Sequence, residues 1–241
     1  MAETAHRTAP DPNETGWPKG VPYIIGNEGC ERFSYYGMKA ILFVYIVGLY
    51  MNMEQLALDT ARDKATEMIH MWSAAVYSLP LIGAIISDRL LGKYRTILYL
   101  SVVYCIGHLA LAIFEDPMFQ KEMLGQVYID PLQGMFIGLG LIAMGSGGIK
   151  PCVSAHVGDQ FGKGNWHMLQ KVFNAFYFII NFGSAFATIL IPMIRGAVQD
   201  QMIDGVMYRT YEGSVSWAFG IPGILMGLAT IFFWQGRKVF I

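Results

Sequence analysis

Apolar residues along the chain gather into runs of similar length. Stretches free of Asp, Glu, Lys and Arg cover 68–87, 96–114, 131–149, 172–194 and 213–236. A hydrocarbon core of ~30 Å takes about 20 helical residues to cross, so each run can span a bilayer. A sixth run, 20–53, is equally apolar but carries Glu28, Glu31, Arg32 and Lys39. It reads as a spanning helix with an ionised stripe. The pattern predicts an all-α membrane protein, a six-transmembrane-helix bundle over 21–241, with helices near 21–50, 68–88, 95–114, 131–157, 172–195 and 213–235. Little chain remains for an extramembrane domain. Residues 1–20 are polar, hold Pro10, Pro12 and Pro18, and lack the apolar core of a signal peptide. They read as a flexible cytosolic tail.

Composition agrees. Of 241 residues, 54% are hydrophobic and 15% charged, below the ~25% charged residues of a soluble domain. Disorder is excluded on the same ground. A net charge of −1 leaves no electrostatic footprint for nucleic acid. Cys30, Cys105 and Cys152 are an odd count inside apolar stretches, which argues against a disulfide scaffold.

Loop charge sets an expected orientation. With the N-terminus in the cytosol, the inner side carries Arg7, Lys19, Arg89, Lys93, Arg95, Lys163, Lys171, Arg237 and Lys238. The outer side carries five cations: Arg62, Lys64, Lys121, Arg195 and Arg209. The positive-inside rule then favours both termini in the cytosol. The outer loops are acidic.

The first span holds the densest chemistry. Glu28, Glu31 and Arg32 stand at i, i+3 and i+4, on one helix face, and Tyr35 and Tyr36 extend that face by a turn. Ionised groups at this depth normally face a bundle interior or water, paired with one another. A structural ion pair is one use, but three such groups in one turn favour a functional one. Lys39, two turns on, receives no role. Lys150 is a lone cation before Pro151, preceded by Gly145, Gly147 and Gly148. Snorkelling to an interface and a buried functional cation are both open for it, and Glu28 and Glu31 supply carboxylates it could pair with. His70, at the outer end of the second span, shares a face with Tyr77. It is either a helix-end histidine or a proton carrier. Asn174, Tyr177 and Asn181 form a polar stripe on the fifth span, suited to interhelical hydrogen bonding or to a ligand.

Between spans two and three, Gly83, Asp88, Arg89, Gly92, Lys93 and Arg95 lie in a tight glycine-bounded loop. An acid among three cations suits a cytosolic latch, and positive-inside anchoring accounts for the same residues. No HExxH, P-loop, paired CxxC or GxSxG occurs, so the chain is not expected to be an enzyme.

These segments resemble the proton-coupled oligopeptide transporters of the major facilitator superfamily. Glu28-Gly29-Cys30-Glu31-Arg32-Phe33 matches the ExxERF motif, and Ser34-Tyr35-Tyr36-Gly37 continues it. The segment 145–154 and Gly158-Asp159-Gln160-Phe161 are similar to the family's fourth helix and following loop, and 173–184 to its fifth helix. The Gly83–Arg95 loop is similar to the superfamily's cytosolic motif, with altered spacing. The wording near Cys30–Met38 and His70 resembles the animal di/tripeptide members most.

The resemblance implies a fold and roles. The fold is the N-terminal half of a twelve-helix transporter. The function is proton-coupled symport of di/tripeptides and peptide-like molecules, with protons as the coupling ion and no cofactor or metal. Arg32 and Lys150 would bind the substrate carboxylate, while Glu28 and Glu31 would hold the proton or pair with the cations. His70 would be a proton-binding group. Tyr36, Tyr77, Tyr177 and Asn181 would contact the peptide. The implied partners are the lipid bilayer, by family default that of the plasma membrane, and a second six-helix half. A shortened, non-transporting protein that associates with and modulates a full-length relative is the alternative.

Overall fold

The computed structural model describes residues 9–241. Six long helices dominate: α1 (Val21–Met53), α2 (Leu58–Ile86), α3 (Lys93–Phe114), α5 (Pro131–Asp159), α6 (Leu169–Arg195) and α7 (Val215–Gln235). Each is long and apolar enough to cross a bilayer. A short helix, α4 (Pro117–Leu124), follows α3, and an antiparallel hairpin, β1 (Val198–Ile203) and β2 (Val206–Tyr211), joins α6 to α7.

The helix starts are written locally. Asp130 accepts from the Leu132 and Gln133 amides ahead of Pro131, and Asp116 from Met118 ahead of Pro117. Ser214 accepts from the Trp217 amide. After α2 a π-helical turn, Ser87–Leu91, ends at Gly92, whose φ of +76° favours glycine.

Small residues let the helices approach. A Cβ on Gly107 would stand 2.9 Å from the Gly138 carbonyl oxygen, and one on Gly145 would stand 2.9 Å from that of Leu100. These contacts pack α3 on α5. Gly83 of α2 meets the Gly148 backbone of α5, and Gly147 meets Leu79. Backbone approach through glycine is how helices gain packing where lipid supplies no hydrophobic drive. On α1, Gly29 meets Ile179 and Gly37 meets Ile191, both of α6.

Burial is uneven. α1 and α5 are largely enclosed, whereas α2 and α6 expose Tyr77, Leu81, Phe178, Phe182, Ile189 and Met193. One broad apolar side of the bundle therefore has no partner among the described residues.

Four features differ from the sequence reading. α2 begins at Leu58, ten residues before its apolar run, because Asp59, Arg62, Asp63 and Glu67 continue the helix with exposed side chains. α4 and the hairpin lie outside the spans, where little structure was expected. The hairpin had a signal: Asp204 and Gly205 have φ of 51° and 82°, the two positive values that an Asp-Gly hairpin turn needs. The tail divides. Residues 1–8, including Arg7, lie outside the described residues. Beyond them, Pro10, Pro12 and Glu14 lie against Gly162 and Gly164, and Asn165 Nδ2 donates to the Gly16 carbonyl.

Candidate functional site

The centre of the site is one turn of α1. Arg32 Nε lies 3.0 Å from Glu28 Oε1, and its Nη2 pairs with Glu31 Oε2. All three side chains are buried. One guanidinium thus engages both carboxylates, as its planar fork allows. Glu28 Oε2 and Glu31 Oε1 have no hydrogen-bond partner among the described residues. Each acid therefore keeps one oxygen free for a proton or a second donor. Tyr104 of α3 donates to the Glu31 backbone carbonyl at 3.5 Å.

Lys150 enters from α5, two residues past the Gly148 crossing. Its Nζ stands 4.8 Å from the Tyr35 ring centroid and 5.4 Å from that of Tyr77. It forms no ion pair within 4.0 Å, since the described ion pairs commit Glu28 and Glu31 to Arg32. The expected pairing of Lys150 with those carboxylates is therefore not what the structure contains. Its charge is held instead between two aromatic faces.

Tyr35 is the hub that the sequence left without a role. Arg32 Cζ lies 5.6 Å from its ring centroid and Lys39 Nζ 5.9 Å. Tyr36 meets it edge-on, and Trp72 of α2 stacks on it at 5.8 Å. Trp72 is itself fixed by donating from Nε1 to the Leu139 carbonyl at 2.9 Å. Lys39 thus joins the cluster. Three formal cations against two carboxylates leave one positive charge in excess, where four residues alone would balance. The spacing held this signal, because Tyr35 follows Arg32 by three residues and Lys39 follows Tyr35 by four.

Other expected residues stand further out. Tyr36 and Tyr77 are exposed toward the unpartnered side. Tyr177 and Asn181 are exposed on α6, within a turn of its crossing with Gly29 of α1. Asn181 Nδ2 donates within its own helix, to the Tyr177 carbonyl. His70 is exposed on α2 and makes no hydrogen bond to the cluster. Seven residues, or ~10 Å of helix, separate it from Tyr77.

At the opposite end of α2, Lys93 Nζ pairs with Asp159 Oδ2 at 2.6 Å. The acid that pairs with Lys93 is Asp159, from the end of α5, and not Asp88. Asp88, Arg89 and Arg95 are exposed and form no ion pair among the described residues. Helix crossing explains the exchange: the Gly83–Gly148 approach brings the end of α5 to the start of α3. Among the described residues no group of His, Cys, Asp and Glu could hold a metal ion.

Outside the spans, Arg209 Nε and Nη2 each donate to Asp200 at 2.7 Å across the hairpin. These hydrogen bonds hold the Asp200 carboxyl below the usual carboxylate range. Asn52, at the end of α1, binds the Arg209 backbone twice, at 2.8 Å each. Glu115 accepts from Ser216 at 2.7 Å, and burial raises its pKa.

The POT family model matches residues 94–241. The human "Solute carrier family 15 member 2" is 41% identical over 96% of this chain and 29% of its own length. The "Peptide transporter family 1" of Drosophila melanogaster is 41% identical over 93% of this chain and 27% of its own length. The solved POT family transporter PepTSo superposes with a TM-score of 0.76 at 43% identity, over 94% of this chain and 39% of that one. The chain spans less than a third of the length of the curated relatives it matches. Six spanning helices and these likenesses make it an integral membrane protein with the architecture of one half of a major facilitator fold.

Proposed function

This chain belongs to the POT family, and from that premise we propose that it supplies the carboxylate-binding, proton-coupled half of a di/tripeptide symporter. The observation that carries the reading is Lys150. It is a half-buried cation held by aromatic rings, with no carboxylate in ion-pair range among the described residues. It needs an anion, and the cluster around it has one positive charge in excess. A peptide carboxylate meets that need, since charge-assisted hydrogen bonds are the strong ones.

Glu28 and Glu31 then carry the proton. Each has one oxygen outside the Arg32 pairing, and protonating either weakens its hold on the guanidinium. Arg32 becomes freer to take the substrate carboxylate, which couples proton and peptide at one residue. Tyr36, Tyr77, Tyr177 and Asn181 offer hydroxyl and amide partners for the peptide backbone from the open side. His70, exposed about three turns into α2, passes protons toward the cluster. Lys93 and Asp159 close the cytosolic end. The unpartnered side of α2 and α6 receives a second six-helix half, since alternating access needs two bundles that rock around a shared site. Both termini are cytosolic and the home is the plasma membrane.

The test is reconstitution. The 241-residue chain alone in proteoliposomes should insert but drive no pH-dependent dipeptide accumulation. Together with a matching second six-helix half it should do so, and Lys150→Gln should abolish the gain. Accumulation that survives Lys150→Gln would overturn the assignment of the carboxylate site.

A further inference from the structure

Between α3 and α7 lies an apolar crevice of about 480 Å3 whose lining shares no residue with the ionised cluster, inside the ~300–1,000 Å3 of small-molecule sites. Leu109 and Ala112 form one wall, Gly220 and Ile224 the other. The space exists because facing residues are small: a Cβ on Gly220 would stand 3.6 Å from that of Ala112. At Gly223, where a Cβ would stand 2.8 Å from the His108 Cβ, the helix backbones come closest, and Gly223 and Cys105 line the far end of the crevice.

Most polar groups at the rim are spent on the fold. Ser216 donates to Glu115, Ser214 caps α7, and Asp116 Oδ1 caps α4. The lining is hydrocarbon in effect. Two rim groups are uncommitted among the described residues: the Trp217 indole N–H, on a half-exposed side chain, and Asp116 Oδ2. Ile106, Leu109, Ile224 and Leu228 are exposed on the same two spanning helices, so what faces the crevice in a membrane is lipid. Phe119 of α4 lines the outer end, and α4 and its following loop expose Met118, Met123, Val127 and Tyr128 beside Lys121 and Glu122. That is the composition of an interfacial helix, and a tryptophan at the same level is typical of the head-group region.

We propose that the α3–α7 crevice holds one acyl chain of a phospholipid from the leaflet on the α4 side, with an ammonium head group facing Asp116 and an ester or phosphate oxygen accepting from Trp217 Nε1. The apolar lining selects the chain, and the lone free carboxylate at the mouth selects the head group. An anionic head group would meet the Asp116 carboxylate as a like charge. The site stands apart from the transport reading and does not depend on it.

The experiment uses the whole chain in lipid nanodiscs with phosphatidylcholine carrying a photoreactive diazirine midway along one acyl chain. Adducts are mapped by peptide mass spectrometry. Crevice residues Leu109, Ala112 and Ile224 should be labelled about tenfold above the exposed Leu228 and Ile231 of α7. Gly220→Leu, which fills the space on a helix face that accepts a side chain, should remove that excess. Gly227→Leu, with open space around it, should not. A phosphatidylglycerol probe with the same chain should label the crevice several-fold less. Asp116→Asn, which keeps the α4 cap, should erase the difference between the two probes. Because this variant adds no volume, it remains decisive if Gly220→Leu disturbs packing. Labelling spread evenly over exposed residues, or unchanged in Gly220→Leu, overturns the chain site. Equal labelling by the two probes in the unsubstituted chain overturns the head-group assignment.

Discussion

Replacing Lys150 with Gln keeps a polar, unbranched stem one atom shorter but deletes a half-buried cation that has no carboxylate partner among the described residues. A hydrogen bond between charged partners contributes ~1.5–3 kcal/mol. With ~1.4 kcal/mol per factor of ten, a dipeptide should bind the variant about 10- to 150-fold more weakly. Arg32 alone does not make up the loss, because after one protonation the other of Glu28 and Glu31 still engages its fork. A dipeptide whose C-terminus is amidated has no carboxylate to lose, so its affinity should change little. The assay is competition against labelled dipeptide in vesicles holding the chain with a matching second half, for both ligands and both proteins. Tyr35 and Tyr77 also lose a cation, at ~0.5–2 kcal/mol for such contacts, so a melting curve must accompany the binding data. If Lys150→Gln weakened acid and amide equally, or neither, the carboxylate would not be bound at this position.

Several further outcomes are expected. Gly83→Ala drives a methyl into the Gly148 backbone and should destabilise by ~1–3 kcal/mol, as overpacking does; Gly140→Ala on α5 has open space and should leave the melting temperature unchanged, and equal melting of the two would refute the crossing argument. The folded-state pKa of Asp200 lies below its unfolded value of ~3.9, so its stabilisation of the hairpin is complete above that value and fades as pH falls through the folded pKa. Hydrogen-exchange protection factors over 198–211, referred to the intrinsic rate at each pH, should hold down to about pH 4 and then fall, while Asp200→Asn should show the lowered protection at neutral pH. His70→Gln should abolish pH-driven uptake with normal surface expression, and unchanged acid stimulation would leave His70 a structural residue of α2. For topology, a cysteine introduced between 10 and 16 should resist an impermeant thiol reagent on intact cells, and one between 118 and 128 should react; the reverse pattern would invert the orientation.

Length and hydropathy alone determined six spanning helices, because burying a backbone in hydrocarbon leaves few alternatives to a helix of about 20 residues. Local spacing determined the Glu28–Glu31–Arg32 face, since positions three and four apart meet on any helix. The Asp204-Gly205 turn and the acidic caps at Asp116 and Asp130 carried local signals that the sequence reading did not use. Partner choice was not. Asp159, not Asp88, meets Lys93, and Lys150 meets Tyr35 and Tyr77, not Glu28 or Glu31. Both outcomes follow from where α5 crosses α2 and α3 through Gly83, Gly145 and Gly148. A sequence names the glycines that permit a close crossing, but not which helix comes close or at what level. That is decided only when all six helices pack at once, and with it which charges find each other and which is left for a ligand.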